Sequence, residues 1–178
     1  MSLAQQLRRH LFADAHARVF AVLDGAAIPD LLPRLHDERP DYECLYRGEL
    51  APDLAEVAPY LVQLEPDAAF TGWLLQNGWG HNWGVFATAD NGADLRALRR
   101  HFRTFLIVHD EEGRPLYFRF YDPRVLRVYL PTCGAEELTK IFGSVTAYLL
   151  EDCESNNVLN FRLESNSLRQ EKASLNHL

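Results

Sequence analysis

The residues whose types could support chemistry are concentrated in the segment FRFYDPRVLRVYL, residues 118 to 130. Arg119 and Asp122 carry opposite charges and could form an ion pair. Asp24, at the end of an earlier apolar run, is a second candidate partner for Arg119. Such a cluster at the ends of strands could line a ligand pocket, because open sheets tend to bind ligands there. A structural ion pair that fixes the edge of the sheet is the alternative, and we favour it, since perturbed charge networks are often only structural.

The Asp-Pro pair within this segment is explained by helix initiation. Aspartate is a favoured N-cap, and proline is tolerated at the first helical position because its missing N–H would have no partner there. We therefore expect Asp122 and Pro123 to be structural. Asp24 and Gly25 end the run RVFAVLDG, which is typical of a buried strand and its exit turn.

The preceding stretch PLYFRFYD, residues 115 to 122, predicts a strand with a period of two. Three residues are expected to face the core: Leu116, Phe118 and Phe120. The alternate residues are expected to share the opposite face: Tyr117, Arg119 and Tyr121. An arginine framed by two tyrosines on an open face would suit a protein partner.

The segment GWGHNWG, residues 78 to 84, combines three glycines with two tryptophans. Its glycine spacing is not a dinucleotide fingerprint, and it follows a predicted helix instead of a strand. We interpret it as a tight loop in which Trp79 and Trp83 cover the core, with an exposed aromatic anchor for a partner as the alternative. His81 could be a ligand or a base, but no second His lies at metal spacing, so no metal site is expected.

The sequence contains no recognisable catalytic constellation. HExxH, GxSxG, P-loop and Cys/His zinc patterns are all absent, and no cofactor is expected. A small hydrolase using Asp24, Arg119, Asp122 and His81 stays open as an alternative, although it lacks a nucleophile motif. The sequence also contains a cluster of arginines on the predicted helix 93 to 102. We favour a solvent-exposed helix face for this cluster over a surface that docks a protein. Its members are Arg96, Arg99, Arg100 and Arg103.

Charge and cysteine usage limit the compartment and the class of partner. The formal net charge of the 178 residues is −7, which disfavours a nucleic-acid partner. Three cysteines without a CxxC pair argue against a disulfide framework and for a reducing compartment. We expect no signal peptide and no membrane-spanning helix, and therefore a cytoplasmic protein.

The elements that must position these residues alternate irregularly between helical and strand patterns. This favours an α+β (mixed α/β) fold, with a single domain built on a mixed β-sheet flanked by helices. RTFLIVHD and PLYFRFYD predict the clearest hairpin, and SVTAYLLED and VLNFRLE predict a second. The domain is expected to cover residues 1–165. Residues 166–178 are expected to be a polar C-terminal tail, either frayed or a docking helix.

Motifs in a fixed order extend over most of the chain: FAVLDGA, LYRGEL, APYLVQL, GWLLQNGWGHNWGVF, LRRHFRTFLIV and FRFYDPRVLRVYLPT, followed by FG at 142 to 143. This ordered set, from about residue 18 to residue 150, resembles the family designated domain of unknown function 4123, the effector adaptors or chaperones of bacterial type VI secretion. FRFYDPRVL is the most specific part. The residues that match the motifs of the family are Asp24, Gly25, Tyr46, Gly48, Trp73, Trp79, Gly80, Trp83, Arg119, Asp122 and Pro123.

The resemblance implies a non-enzymatic protein that binds a toxic effector in the bacterial cytoplasm and helps to load it onto the spike protein of the secretion machine. Many relatives continue into a further C-terminal lobe. We expect binding through exposed aromatics and arginine: Trp79, Trp83, Tyr117, Arg119 and Tyr121. An immunity-type protein that neutralises a toxin is the other binding alternative, and no nucleic-acid or membrane partner is expected.

Overall fold

A seven-stranded sheet forms the centre of the computed structural model, which describes residues 1–175. Along these residues the strands are β1 (Ala17–Asp24), β2 (Tyr42–Cys44), β3 (Pro59–Leu64), β4 (Gly84–Asp90), β5 (Ile107–His109), β6 (Pro115–Tyr117), β7 (Val145–Glu151), β8 (Asn157–Glu164) and β9 (Ser167–Ser174). The helices are α1 (Leu3–Leu11), α2 (Leu31–Glu38), α3 (Pro52–Val57), α4 (Ala69–Asn77), α5 (Leu95–Arg103), α6 (Pro123–Tyr129) and α7 (Ala135–Phe142), and a 3-10 turn covers Leu130–Thr132. The α+β class predicted from the sequence is confirmed.

The order of the strands in the main sheet is β2-β3-β1-β4-β7-β8-β9, and β5 pairs with β6 in a separate two-stranded sheet. Every pairing between neighbouring strands is antiparallel. The mixed sheet expected from the irregular order of elements is therefore refined to an antiparallel one.

Helices cover both faces of the main sheet. Successive side chains of β1 point to opposite faces and pack against different helices. Phe20 and Val22 pack into one cluster with side chains of α5, α6 and α7. Ala21 and Leu23 pack into a second cluster with side chains of α1, α2 and α4. Because both faces are buried, β1 is a continuous apolar run instead of an alternating one.

The second predicted hairpin is confirmed as β7 and β8, but the predicted C-terminal tail is wrong as far as Ser174. Residues 167 to 174 form β9, which pairs with β8 along its whole length. The strand is polar because it lies at the edge of the sheet with both faces largely exposed. Its sequence therefore lacks the alternation of apolar and polar residues that would have predicted a strand. Residues 176–178 of the expected tail lie outside the described residues.

The first predicted hairpin forms but is shorter than expected. Its second strand, β6, ends at Tyr117, and turns follow it: Phe120 N donates to Phe118 O and Asp122 N donates to Arg119 O. Along residues 1–175 no helix is both long enough and apolar enough to cross a membrane.

Candidate functional site

One end of the main sheet collects most of the residues singled out from the sequence, and we call it the polar end. There β1 finishes at Asp24 and β7 finishes at Glu151. The register places Asp24 opposite Pro59 and Leu23 opposite Gly84, so the starts of β3 and β4 lie at the same end. The segments after β2 and after β6 converge there as well, as the contacts below show.

Arg119 reaches Asp24 across the polar end, as its spacing in the sequence suggested. Arg119 Nη2 donates to Asp24 Oδ2 at 2.5 Å, and a second carboxylate, Asp122, lies 3.7 Å from the same nitrogen. The Asp24 side chain is 3% exposed and that of Arg119 is 48% exposed. Burial lowers the pKa of Arg119, but the hydrogen bond and charge of Asp24 raise it more, so the guanidinium stays charged.

The backbone around Asp24 explains why this position carries Asp-Gly. Asp24 Oδ1 accepts a hydrogen bond from Ala26 N at 3.0 Å, which fixes the turn that leaves β1. A Cβ atom on Gly25 would lie 2.4 Å from Ala58 O, so any side chain there would push β3 away. Asp24 and Gly25 therefore have a structural role, and the carboxylate of Asp24 is engaged on both oxygens.

Asp122 and Pro123 initiate α6 as predicted. The Asp122 side chain accepts from Arg124 N at 2.9 Å, and Pro123 occupies the first helical position. Arg124 Nη2 also donates to Asp122 Oδ2 at 2.7 Å. Burial would raise the pKa of Asp122, but the hydrogen bonds and charge of Arg124 outweigh it and hold that pKa below its usual value.

Tyr121 was expected on an open face, and this expectation is wrong. Its side chain belongs to the main core and is 3% exposed, because the turns after Tyr117 end the alternation of the strand. The Tyr121 side chain lies next to Tyr46, and burial raises the pKa of Tyr121. Leu116, which was expected in the core, is 50% exposed because it lies on β6, whose residues are all exposed.

Trp79 and Trp83 are half-buried against the second core cluster, so the loop interpretation describes them better than the exposed anchor. Trp79 Nε1 donates to Ser155 O at 2.8 Å, and the Trp83 ring packs against Trp73 at 5.2 Å between centroids. His81 is exposed, with its ring 6.0 Å from that of Trp83. The aromatic surface of this loop is turned largely inward.

A buried carboxylate that the sequence did not reveal holds the loop of residues 78 to 84. Glu151 is 3% exposed and accepts hydrogen bonds from Gly80 N at 2.5 Å, Asn82 N at 2.7 Å and Ser155 Oγ at 2.7 Å. Both Gly80 and Asn82 have positive φ, at 87° and 54°, which turns their N–H groups toward one carboxylate. Glu151 therefore fixes the conformation of the loop.

The β5–β6 hairpin is the most exposed apolar part of the described chain. Tyr117 is 60% exposed, Leu116 50%, Ile107 45% and Val108 40%. The register pairs Ile107 with Tyr117 and Val108 with Leu116, so one apolar pair lies on each face of the hairpin. Single exposed apolar side chains are ordinary, but here both faces of a six-residue hairpin carry an exposed apolar pair, and exposed apolar surface of this kind marks an interaction site.

A groove of about 180 Å³ separates this hairpin from the segment after β2. Its lining is Leu45, Tyr46, Arg47, Leu50, Leu54, Arg103, Leu106, Ile107 and Tyr117. The Tyr46 and Tyr117 rings contact each other with centroids 5.3 Å apart, and Tyr46 also touches the buried Tyr121. Tyr46 therefore links the groove beside the hairpin to Tyr121 in the core.

The solvated face that we favoured for the arginine cluster of α5 is found at Arg96 and Arg100, which are exposed, but not at Arg99 and Arg103. Arg103 donates to the carbonyls of Cys44, Leu45 and Tyr46 at 3.0, 2.9 and 2.5 Å. Arg99 forms an ion pair with Glu43 of β2. Arg99 and Arg103 thus tie α5 to the edge of the sheet, and Arg103 also lines the groove.

No group of three or more His, Cys, Asp or Glu side chains that could hold a metal ion occurs in residues 1–175. Of the predicted partner-binding residues, the structure brings Tyr117 and Arg119 to the hairpin side of the polar end. Trp79 and Trp83 lie in the loop held by Glu151, and Tyr121 is in the core. The residues that sequence reasoning missed are the apolar pairs of the hairpin, Tyr46 and Glu151.

The described chain is thus an α+β domain with a covered tryptophan loop and an uncovered apolar hairpin. Residues 19–140 match the family described as Domain of unknown function (DUF4123). The match covers more than half of the 178 residues, so this chain belongs to that family, as its ordered motifs indicated. Comparisons with curated proteins and with solved structures gave no match.

Proposed function

We propose that this protein is a non-enzymatic adaptor, or chaperone, that binds a toxic effector of a bacterial type VI secretion system in the cytoplasm and aids its loading onto the spike protein. The assignment to secretion follows the resemblance set out above. The observation that carries a binding role is the apolar hairpin β5–β6 beside its groove. We assign the effector-binding site to this hairpin and groove and not to the tryptophan loop, residues 78 to 84.

The hairpin is unusual because it exposes apolar side chains on both faces. A two-stranded hairpin is only marginally stable in water unless another element covers it. Here Phe118 and Phe120, which follow β6, anchor the base in the core, while the strands themselves project. An effector segment that covers Ile107 and Tyr117 on the groove side would remove apolar surface from water and stabilise the hairpin.

The groove also specifies the charge of the segment that it binds. Arg47 lines the groove, is exposed and has no carboxylate within ion-pair distance among residues 1–175. Burial lowers the pKa of Arg103, and the nearby charges of Arg99 and Arg47 lower it further. The exposed guanidinium of Arg47 beside apolar walls, with the positive charge of Arg103 behind it, favours an effector segment that combines large apolar side chains with a carboxylate.

The arrangement at the polar end supports binding better than catalysis. A hydrolytic site needs a free nucleophile or base at a reacting centre. Asp24 and Asp122 each have their carboxylate oxygens occupied by arginine and backbone donors. His81 makes no contact with either aspartate in the described chain, so the four residues of the hydrolase alternative are not assembled.

The direct test is a pull-down of the tagged protein from the cytosol of its native bacterium, with partners identified by mass spectrometry. The adaptor role predicts recovery of a large toxin-like protein together with a spike protein. Recovery of a toxin domain alone, with suppression of its toxicity on co-expression, would favour the immunity-type alternative. Absence of any partner, with a bell-shaped pH–rate profile on a substrate panel, would favour the hydrolase.

A further inference from the structure

The strand β9 forms an open edge of the main sheet, with no strand beyond it in the described part of the chain. Leu175 N donates to Asn156 O at 2.8 Å, so odd-numbered residues of this stretch direct their backbone groups toward β8. Since hydrogen-bonding direction alternates along an antiparallel strand, the even-numbered residues direct theirs outward. Four residues therefore present backbone donors and acceptors at the edge: Leu168, Gln170, Lys172 and Ser174.

The side chains of this edge carry a charge pattern that is complementary to itself. Arg169 and Glu171 flank Gln170, share one face of β9 and are both about half exposed. Within one chain Arg169 forms exposed ion pairs with Glu171 at 2.8 Å and Glu164 at 3.1 Å, which leaves both side chains accessible to a second copy. If two copies of β9 pair antiparallel about a two-fold axis at Gln170, Arg169 of each copy lies opposite Glu171 of the other. Sliding the pair by one step in either direction would place Arg169 opposite itself or Glu171 opposite itself.

We propose that β9 pairs with β9 of a second copy of this chain in that register, which joins two seven-stranded sheets into one continuous sheet. The two-fold symmetry gives an isologous interface in which each contact occurs twice. Charged residues on an edge strand normally prevent such pairing. Here the charges repel in the neighbouring registers and attract in one, so they select a register.

The pairing satisfies the outward backbone groups without disturbing the rest of the domain. In this register Leu168 lies opposite Lys172 of the second copy, and Gln170 lies opposite Gln170. The backbone N–H and C=O groups of these residues form the hydrogen bonds between the two copies. The aliphatic stem of Lys172 would cover Leu168, while its ammonium group keeps Asp152, 3.1 Å away. An interface of one strand is small, so we expect a weak dimer with a dissociation constant on the order of micromolar.

Charge reversal in the 178-residue protein tests the register, with mass measured by sedimentation equilibrium over a concentration series. The wild type is expected to dimerise, and Arg169→Glu or Glu171→Arg alone is expected to weaken dimerisation by about tenfold or more. The double variant Arg169→Glu with Glu171→Arg restores opposite charges and is expected to restore the dimer. A wild type that is monomeric throughout, or a dimer indifferent to all three variants, would overturn the proposal.

A cysteine pair on the axis provides a second readout that does not depend on charge. In a background in which the exposed Cys153 is replaced by Ser, Gln170→Cys places two thiols opposite each other at a separation that a disulfide can span. Ser174→Cys is the matched control, because it lies on the same face but far from its own copy in this register. Oxidation is expected to give a covalent dimer only with Gln170→Cys, and equal dimer yields from both variants would contradict the register.

Discussion

The tryptophan loop, residues 78 to 84, and the β5–β6 hairpin are both rich in apolar side chains, yet the structure treats them in opposite ways. The loop has its backbone donors satisfied by Glu151 and its rings packed against the core. The hairpin has apolar side chains on both faces, and four of them are 40% to 60% exposed. The polar and apolar groups of the loop are satisfied within the fold, whereas the hairpin exposes apolar surface that a partner could bury.

The difference shows that aromatic content alone does not identify a binding surface. Trp79 and Trp83 are the residue type most often found at energetic centres of interfaces. In this protein they mostly bury their surface within one chain. Tyr117 is exposed, lies beside a groove and adjoins a half-exposed arginine, so it combines the features that a partner can use.

The largest effect on stability is expected at Glu151. Glu151→Ala leaves the N–H groups of Gly80 and Asn82 and the Ser155 hydroxyl without their acceptor in a buried site. We expect a loss of roughly 3 kcal/mol in the free energy of unfolding, measured by chemical denaturation. The exposed neighbour Glu154→Ala is the control and should change stability by less than about 0.5 kcal/mol. Equal stability of the two variants would show that the loop does not depend on the carboxylate.

The hairpin should show the reverse pattern, with binding lost and stability retained. Tyr117→Ser together with Leu116→Ser removes the two most exposed apolar side chains of the hairpin. We expect about 30-fold weaker binding of the effector recovered by pull-down, corresponding to about 2 kcal/mol, with an unchanged cooperative melt. The control is Val128→Ser, an equally exposed apolar residue on α6. Equal affinities for the two variants would remove the hairpin from the binding surface.

Arg119 lies just after the hairpin and pairs with the buried Asp24, so its loss should affect binding and stability modestly. Arg119→Ala is expected to weaken effector binding by about fivefold and to leave the fold intact. It should cost about 1 kcal/mol of stability, because Asp24 loses one partner but keeps the N–H of Ala26. The exposed Arg162→Ala serves as the control for loss of a positive charge. Unchanged affinity with a cooperative melt would exclude Arg119 from the binding surface.

The smallest effect concerns the charge of Asp122 and depends on pH. The folded-state pKa of Asp122 is depressed, so its charge stabilises the protein above the unfolded-state pKa of about 4 and this contribution is lost as the pH falls through the lower folded value. Asp122→Asn keeps a competent N-cap but loses the ion pair with Arg124, at a cost of about 0.5 kcal/mol near pH 7. The difference in unfolding free energy between wild type and variant should shrink below about pH 4. A difference that is constant from pH 7 to about pH 2.5 would contradict this assignment.

Local signals in the sequence predicted much of the polar end. The buried run that ends at Asp24, the N-cap at Asp122 with Pro123, and the pairing of Asp24 with Arg119 are all confirmed. Each depends on a residue type with a strong local preference or on opposite charges at the ends of elements.

The features that were missed depend on contacts without a local signature. Tyr121 is buried because turns end the strand at Tyr117, so the period of two that predicted an open face no longer applies. The partners of Glu151 include two backbone N–H groups about 70 positions earlier, which no spacing of side chains can reveal. The edge strand β9 is polar on both faces and therefore resembled a tail.

The most direct test of the central claim compares pull-downs from the cytosol of the native bacterium with three tagged proteins: the wild type, the Leu116→Ser/Tyr117→Ser variant and the Val128→Ser control. We predict that the wild type and Val128→Ser recover the same effector and spike protein. The hairpin variant, with a melt matching that of the wild type, is predicted to recover neither. Recovery of the same partners in equal amounts by all three proteins would contradict the assignment of the hairpin as the effector-binding surface.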